Sequence, residues 1–356
     1  MRRQCFCTVA TQSHYARAQA LGRMLSVSDP MADYYIFLVD GMGSVFNSVT
    51  GVVDTRTIVG EEFVKLSFQY NAIELCCALK PYIMSHLLDC GYDEVVYLDG
   101  DIIVLDSFCK VFTKFSDKAI ILTPHITKAY PVDEKTPCER DILKSGIYNA
   151  GFIGVKNEDE SRRFLSWFKN MIRKDCYRWG LDQKWLNLVP MLFDKVYIEN
   201  CPGCNLGVWN FHERELSIQG KTLMANGVKV VFIHTSGYDY MLRQYSGVSR
   251  DYGYALNVLS PYLDKHFVLL KENGFDERTR PYRYDFFTDG SLVTDGDRKE
   301  YARNVRLRQA YANPFDAKSL CCLKRELRRI NSFRWLCSRL LHKVREGCGV
   351  ESPNKW

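Results

Sequence analysis

Through roughly the first 235 residues, short apolar runs alternate with longer segments whose apolar residues recur every three or four positions. The runs at 6–10, 35–39, 95–98, 119–122, 148–155, 196–198 and 228–233 predict strands, being short, rich in aromatic and β-branched residues and bounded by polar text. The segments 15–25, 73–88, 160–172 and 181–189 have the spacing of amphipathic helices. Pro81 lies inside the second of these and predicts a kink, or a helix whose first turn follows Lys80. Strands alternating with helices predict an α/β chain with a mainly parallel sheet covered by helices. Neither an internal repeat nor a low-complexity linker interrupts the pattern.

Beyond residue 240 the text changes. Residues 241–316 are rich in Tyr, Arg, Asp and Gly, as in Pro281-Tyr282-Arg283-Tyr284-Asp285, and predict loops and short elements covering a site. Asn313-Pro314 then breaks the chain before a last helix over 320–341, in which Leu320, Leu323, Leu327, Ile330, Phe333, Leu336, Leu340 and Leu341 fall at helical spacing. The expected organisation is a domain over 1–240, an extension over 241–316 and a basic amphipathic tail over 317–356.

Composition narrows the class only a little. The 356 residues are 46% hydrophobic and 25% charged, as in ordinary globular proteins. Nowhere do about 18 uninterrupted apolar residues occur, as a membrane span requires. The apolar run Cys5–Ala10 is shorter than a secretory leader needs and reads as the first strand, so no export signal is expected. Fourteen cysteines in a chain of this size read as free thiols, and the expected compartment is the reducing cytoplasm. Cys201-Pro202-Gly203-Cys204 has the spacing of a zinc knuckle but no second Cys or His pair at a familiar distance, and reads as thiols in a turn.

Charge is uneven. Residues 318–356 hold ten Lys/Arg against three Asp/Glu, whereas the rest of the chain holds 38 against 39. A basic amphipathic helix either lies on an anionic membrane surface, which would make the protein peripheral on the inner face of the membrane, or packs on its own domain with a solvated basic face. Nucleic acid is not an expected partner, because the basicity is confined to that helix.

The chemistry concentrates at Leu98-Asp99-Gly100-Asp101, which ends the apolar run from Val95. In extended chain residues i and i+2 point to one side, so Asp99 and Asp101 can converge on one hard divalent cation, Mn2+ or Mg2+. Such ions commonly carry substrate phosphates. Ser145-Gly146-Ile147-Tyr148-Asn149-Ala150-Gly151 enters a strand with small residues, and Asn149 can offer a donor and an acceptor to sugar hydroxyls. Asp182 and Gln183 open a helical segment. His234, just past a strand, is a candidate third metal ligand. Thr8 and Ala10, followed by Tyr15, put polar groups at the carboxyl end of the first strand, where open α/β sheets bind ligands.

In this order the motifs resemble those of GT-A glycosyltransferases, and most closely the retaining family-8 group of glycogenin and the lipopolysaccharide galactosyltransferases. The resemblance covers roughly residues 4–240 and implies a Rossmann-like, mixed but mainly parallel sheet. It implies that Asp99, Asp101 and His234 hold Mn2+ or Mg2+ against the diphosphate of a nucleotide-sugar donor. Asn149, Ala150 and Gly151 then line the donor sugar, and Asp182 and Gln183 sit at the reaction centre. Thr8, Ala10 and Tyr15 fall in the nucleoside region, Lys80 near donor phosphate, and Gly237 in the family's His-x-x-Gly-x-x-Lys. That lysine is absent here, since Gly237 is followed by Tyr238-Asp239-Tyr240; Lys80, Arg243 or a residue of the Tyr/Arg-rich section are its candidate replacements.

The expected activity is transfer of a hexose from a nucleotide-diphosphate sugar, UDP by family default, to a saccharide or lipid-linked hydroxyl with retention. Two other readings stay open. One is a haloacid-dehalogenase-type phosphatase, whose Asp-x-Asp normally sits nearer the start of the core and ends in Thr or Val. The other is a sugar-nucleotide-binding protein without catalysis.

Overall fold

The computed structural model describes residues 2–41, 51–176, 181–276 and 281–315, and from 322 to 337 all but 324, 331 and 334. The first eight strands are Gln4–Ala10 (β1), Asp33–Leu38 (β2), Gly51–Asp54 (β3), Glu94–Leu98 (β4), Ile102–Val104 (β5), Ile120–Pro124 (β6), Tyr148–Lys156 (β7) and Val196–Ile198 (β8). All but β5 join one sheet in the order β3-β2-β1-β4-β7-β6-β8. Pairings β2–β3, β1–β2, β1–β4 and β6–β8 are parallel, whereas β7 runs antiparallel to both β4 and β6. The chain is therefore mixed α/β with a mostly parallel seven-stranded sheet, flanked by helices that include Tyr15–Ser28, Ala72–Asp89 and Asp159–Asp175.

The central strands β1, β4, β6 and β7 are buried on both faces, and this is why they read as continuous apolar runs. Phe6, Phe108, Phe152 and Phe232 form the centre of the main core, with Phe108 stacked on Phe232 at 5.4 Å and Phe152 on Phe232 at 5.7 Å. Each such ring contributes about 1.5–3 kcal/mol by leaving water. Leu98 and Ile102, fully buried in this core, bracket the Asp99-Gly100-Asp101 turn.

Several elements differ from expectation. The 228–233 run divides into β11 (Val228–Lys229), which follows the hairpin strands β9 (Leu216–Gln219) and β10 (Thr222–Ala225), and β12 (Phe232–His234), which pairs with β5. The chain changes sheets at Val230-Val231, where the Val231 carbonyl accepts from the Leu105 N–H at 2.8 Å. The 181–189 segment is two single turns, Gln183–Leu186 and Val189–Leu192, because Pro190 lacks an N–H and cannot continue the first. Helix Ala72–Asp89 runs through Pro81, with the Ser85 hydroxyl donating to the Pro81 carbonyl at 2.7 Å. The section expected as loops contains the 20-residue helix Gly253–Glu272, which buries Ala255, Leu259 and Leu263 against Leu206, Leu216 and Ile233.

The chain divides into two compact units, Met1–Gly60 with Ile73–Tyr282, and Glu61–Ala72 with Arg283–Trp356. The second unit has its own core. Phe68, from the helix Glu62–Gln69, meets Tyr301, Phe315 and Phe287 at 4.9, 5.0 and 5.7 Å. Leu323 and Leu327 are buried in this core, so the first part of the terminal amphipathic stretch packs on its own unit; Phe333, Trp335 and Leu336 are exposed. Leu320, Leu340 and Leu341 of that stretch lie outside the described residues. Among the described residues no helix is long and apolar enough to cross a membrane.

Arg298 holds the second unit together. Its guanidinium, 3% exposed, donates to the carbonyls of Ser67, Phe68 and Tyr70 at 3.1, 3.0 and 2.8 Å, and to Tyr284 O and Asp285 Oδ1 at 2.6 and 2.9 Å. Arg298→Met leaves those carbonyls without this donor and is expected to cost about 3–5 kcal/mol. Urea unfolding followed by circular dichroism measures it; a loss below about 1 kcal/mol refutes the assignment.

Candidate metal and donor site

Strand order reverses at β1, with β2 and β3 on one side and β4 on the other, and open parallel sheets form a ligand crevice at the carboxyl ends beside such a reversal. Asp99 and Asp101 stand there, immediately beyond β4. Gly100 faces the helix Tyr15–Ser28, where a Cβ on it would lie 3.6 Å from the Ala18 nitrogen. The next strand, β5, pairs antiparallel with β12 in a register that sets Ile102 opposite His234. Thr235 closes the arrangement, its N–H and hydroxyl both donating to the Asp101 carbonyl at 3.0 and 2.7 Å.

One ligand atom each from Asp99, Asp101 and His234 lies within 4.8 Å of the other two. His234 Nε2 is 3.1 Å from Asp101 Oδ1 and 3.9 Å from Asp99 Oδ2. The imidazole is buried, while the carboxylates keep 32% and 23% of their surface, so the cluster opens on the carboxylate side. Burial works against a charged His234, but Asp101 and then Asp99 outweigh it and raise its pKa. Burial likewise opposes ionisation of Asp101; His234 and Arg17 overcome it and hold that carboxyl well below its usual range. Two hard oxygen donors and an imidazole suit Mn2+ or Mg2+ with positions left for phosphate oxygens. The residues fit the cation.

β7 reaches this site through an irregularity. One step along β6, from Leu122 to Thr123, corresponds to a jump from Ile153 to Asn149 on β7, so Ala150, Gly151 and Phe152 bulge away from β6. Bulges of this kind recur beside active sites. The backbone groups of Ala150 and Gly151 are met by other means. The Ala150 N–H donates to Gln183 Oε1 at 3.1 Å, and the Ala150 carbonyl accepts from Lys80 Nζ at 2.9 Å. The Gly151 N–H donates to Asn149 Oδ1 at 2.7 Å, and the Gly151 carbonyl accepts from the Asp99 N–H at 2.9 Å. Only glycine fits at 151, since a Cβ would stand 2.3 Å from His234 Cε1 and 2.9 Å from Asp99 Oδ2.

The expected ligand-facing residues are thus largely engaged with one another. Asn149, 2% exposed, also contacts His234 Nδ1 and Asn205 Oδ1, each at 3.2 Å, so its amide orients the imidazole. Lys80, 3% exposed, pairs with Asp182 at 2.8 Å and Asp99 at 3.4 Å. Burial disfavours its charge, yet Asp182 and Asp99 raise its pKa well above the usual lysine value. Asp182 is 2% exposed and faces that ammonium. The Tyr97 hydroxyl fixes the far side of Asp99 by donating to Oδ1 at 2.7 Å.

Of the residues expected to meet the nucleoside, Thr8 is fully buried within β1 and Ala10 is 3% exposed at its end, whereas Tyr15 is half-buried at the start of the Tyr15–Ser28 helix. Gly237 has φ +77 and open space where a Cβ would stand, which suits a turn of left-handed conformation. Arg243, one candidate for the missing cation, is exposed and paired with Asp264 at 2.9 Å. Arg17 has the stronger position. It follows β1 by one turn, lies against Gly100 and acts electrostatically on Asp101, and its guanidinium stands 5.5 Å from the Phe275 ring centre and 6.0 Å from that of Tyr240. Nothing in the sequence around Tyr15 distinguishes Arg17 from a solvated helix arginine. Tyr97 and Thr235 were equally silent, since their roles depend on the pairing of β5 with β12.

No protein-family model matches the chain. The uncharacterized protein YfnF of Bacillus subtilis (strain 168) is 26% identical over 247 residues, which is 65% of this chain and 81% of that protein. A solved galactosyltransferase LgtC, in complex with donor and acceptor sugar analogs, aligns at 14% identity and TM-score 0.45 over 75% of this chain and 95% of its own. The glycosyltransferase GlyE of Streptococcus pneumoniae TIGR4 aligns at 14% identity and TM-score 0.44 over 81% and 67%.

Proposed function

We propose that the protein is a metal-dependent glycosyltransferase of GT-A type that moves a hexose from a nucleotide-diphosphate sugar to a saccharide or lipid-linked hydroxyl with retention. The observation that carries this reading is the convergence of Asp99, Asp101 and His234 at the carboxyl ends of β1 and β4, with the motif order described above. A bound Mn2+ or Mg2+, held by these three side chains, supplies Lewis-acid stabilisation of the diphosphate.

The remaining work falls to the protein's own groups. Arg17 stands in for the absent lysine by meeting charge on the departing diphosphate, an interaction that grows as the glycosidic bond breaks. Asn149 orients His234, and Lys80 positions Asp99 and the Ala150 carbonyl while Asp182 holds its ammonium in place. Gln183 ties the bulge to the segment after Leu181. The acceptor hydroxyl approaches on the face the leaving group departs from, and its proton passes to a departing phosphate oxygen.

Incubating the protein with a panel of nucleotide sugars and Mn2+ is expected to release nucleoside diphosphate. Phosphate release from simple phosphomonoesters, with none from the sugar nucleotides, would replace this reading with the phosphatase. Arg17→Ala is expected to raise the donor KM or lower kcat/KM by about 10–100-fold, the worth of a charge-assisted hydrogen bond. Arg17→Lys should recover part of that loss, and Arg243→Ala should leave turnover unchanged.

A further inference from the structure

A second group of metal-ligating side chains lies at the far end of β8. The chain leaves Ile198 with Glu199 still paired to β6, its N–H donating to the Leu122 carbonyl at 2.8 Å, and then makes the turn Cys201-Pro202-Gly203-Cys204. The Cys204 N–H closes that turn on the Cys201 carbonyl at 2.9 Å. Gly203 pins it from the other side, its carbonyl accepting from the Val231 N–H at 2.7 Å. A Cβ on Gly203 would stand 2.2 Å from the Lys229 carbonyl oxygen, so the turn is pressed against the crossing from β11 to β12.

One carboxylate oxygen of Glu199 and the two sulfurs lie within 4.8 Å of one another. Glu199 is 6% exposed and, among the described residues, has no ion pair; its carboxylate accepts from the Cys201 N–H at 3.0 Å. Lys114 acts on Glu199 electrostatically from beyond ion-pair distance, and a buried carboxylate beside two thiols is a donor set that a metal cation completes. Cys204 is buried in the main core, while Cys201 is partly exposed and packs against that core. Sulfur ligands select a softer ion than the oxygens of the Asp99 site.

We propose that Glu199, Cys201 and Cys204 form a second, structural metal site that binds zinc, with the fourth position open toward solvent on the Cys201 side. Binding replaces the thiol protons, which pass to solvent, and forms two zinc–sulfur bonds and one zinc–oxygen bond. No electron transfer is involved. The site staples the end of β8 to the strand that carries His234, because Cys204 leads directly into Asn205, whose side chain accepts from Asn149, and Leu206, whose N–H donates to the Phe232 carbonyl at 3.2 Å. This inference is independent of the transferase reading.

The test is metal analysis of the full chain purified from zinc-supplemented culture. About one zinc per chain is expected in the wild type. The Asp99→Asn/Asp101→Asn double variant, which lacks the other site, should retain that zinc, and Cys201→Ser should lose it. Glu199→Gln should surrender it to a chromophoric chelator more readily. Cobalt added to the zinc-free wild type should give thiolate-to-metal charge-transfer absorption, which reads the site without any variant having to fold. Absence of both zinc and that absorption overturns the proposal. So does a chain isolated lighter by its thiol hydrogens with a Cys201–Cys204 disulfide, or zinc that disappears with Asp99 and Asp101 and not with Cys201.

Discussion

Asp101→Ala is expected to lower donor turnover by at least about a hundredfold, the scale on which loss of one preorganised electrostatic group at a reaction centre is felt. Asp101 is the carboxylate nearest His234, and its side chain is partly exposed on the open side of the cluster. Its carbonyl, which anchors Thr235, is untouched by the substitution. The variant should therefore fold, and Mn2+ should raise the melting temperature of the wild type but not of the variant, since a ligand stabilises only a state that binds it. Chelation of the wild type should reproduce the loss, and chelation of the variant should add nothing. Full activity in the variant with chelator present would sink the metal assignment.

Lys80→Met should do two kinds of damage at once. The ammonium is the shared partner of Asp182, Asp99 and the Ala150 carbonyl, and Asp182 is 2% exposed. Removing one member of a buried ion pair costs about 3–5 kcal/mol, because the other charge stays behind without a partner. Adding Asp182→Asn removes that stranded charge and should return a large part of the stability in denaturant unfolding. Turnover should not return with it, since Asp99 and the bulge still lack their ammonium. If the double variant regains both stability and turnover, Lys80 is only a support for Asp182 and plays no part in shaping the metal site.

How much of this was legible depends on what each feature rests upon. β4 was readable because a buried strand writes an apolar run; Asp99 and Asp101 lie just beyond it in a turn closed by the Ile102 N–H on the Asp99 carbonyl, so the turn and not the expected strand alternation brings the two carboxylates together. β5 was not, since Ile102–Val104 is three residues long and takes its identity from β12, far along the chain. Lys80 lies in a helix buried at Leu79, Lys80, Pro81, Tyr82, Ile83 and Met84, so periodicity offered no outer face from which to judge where its ammonium goes. The second core escaped for a similar reason. It joins Phe68 to Tyr301 and Phe315, and neither segment is apolar enough alone to announce a partner. The helix Gly253–Glu272 was hidden by Asn257, Ser260 and Pro261, which break the text without breaking the buried stripe.

The bulge in β7 bears on how this protein comes to be folded. A regular strand finds its register from its neighbours' backbones, and a slip by one residue is corrected along the whole ladder. Over Ala150 and Gly151 the β6 side offers no such guide; Gly151 still meets the Asp99 N–H, but Ala150 is held by side chains at positions 80 and 183, which belong to elements made before and after the strand. The bonds that fix the strand at this point can close only when those elements have arrived. Assembly of this end of the sheet should accordingly be the late event of folding, after the apolar core beneath it, and a destabilised chain should lose the Asp99, Asp101 and His234 cluster well before it loses its sheet.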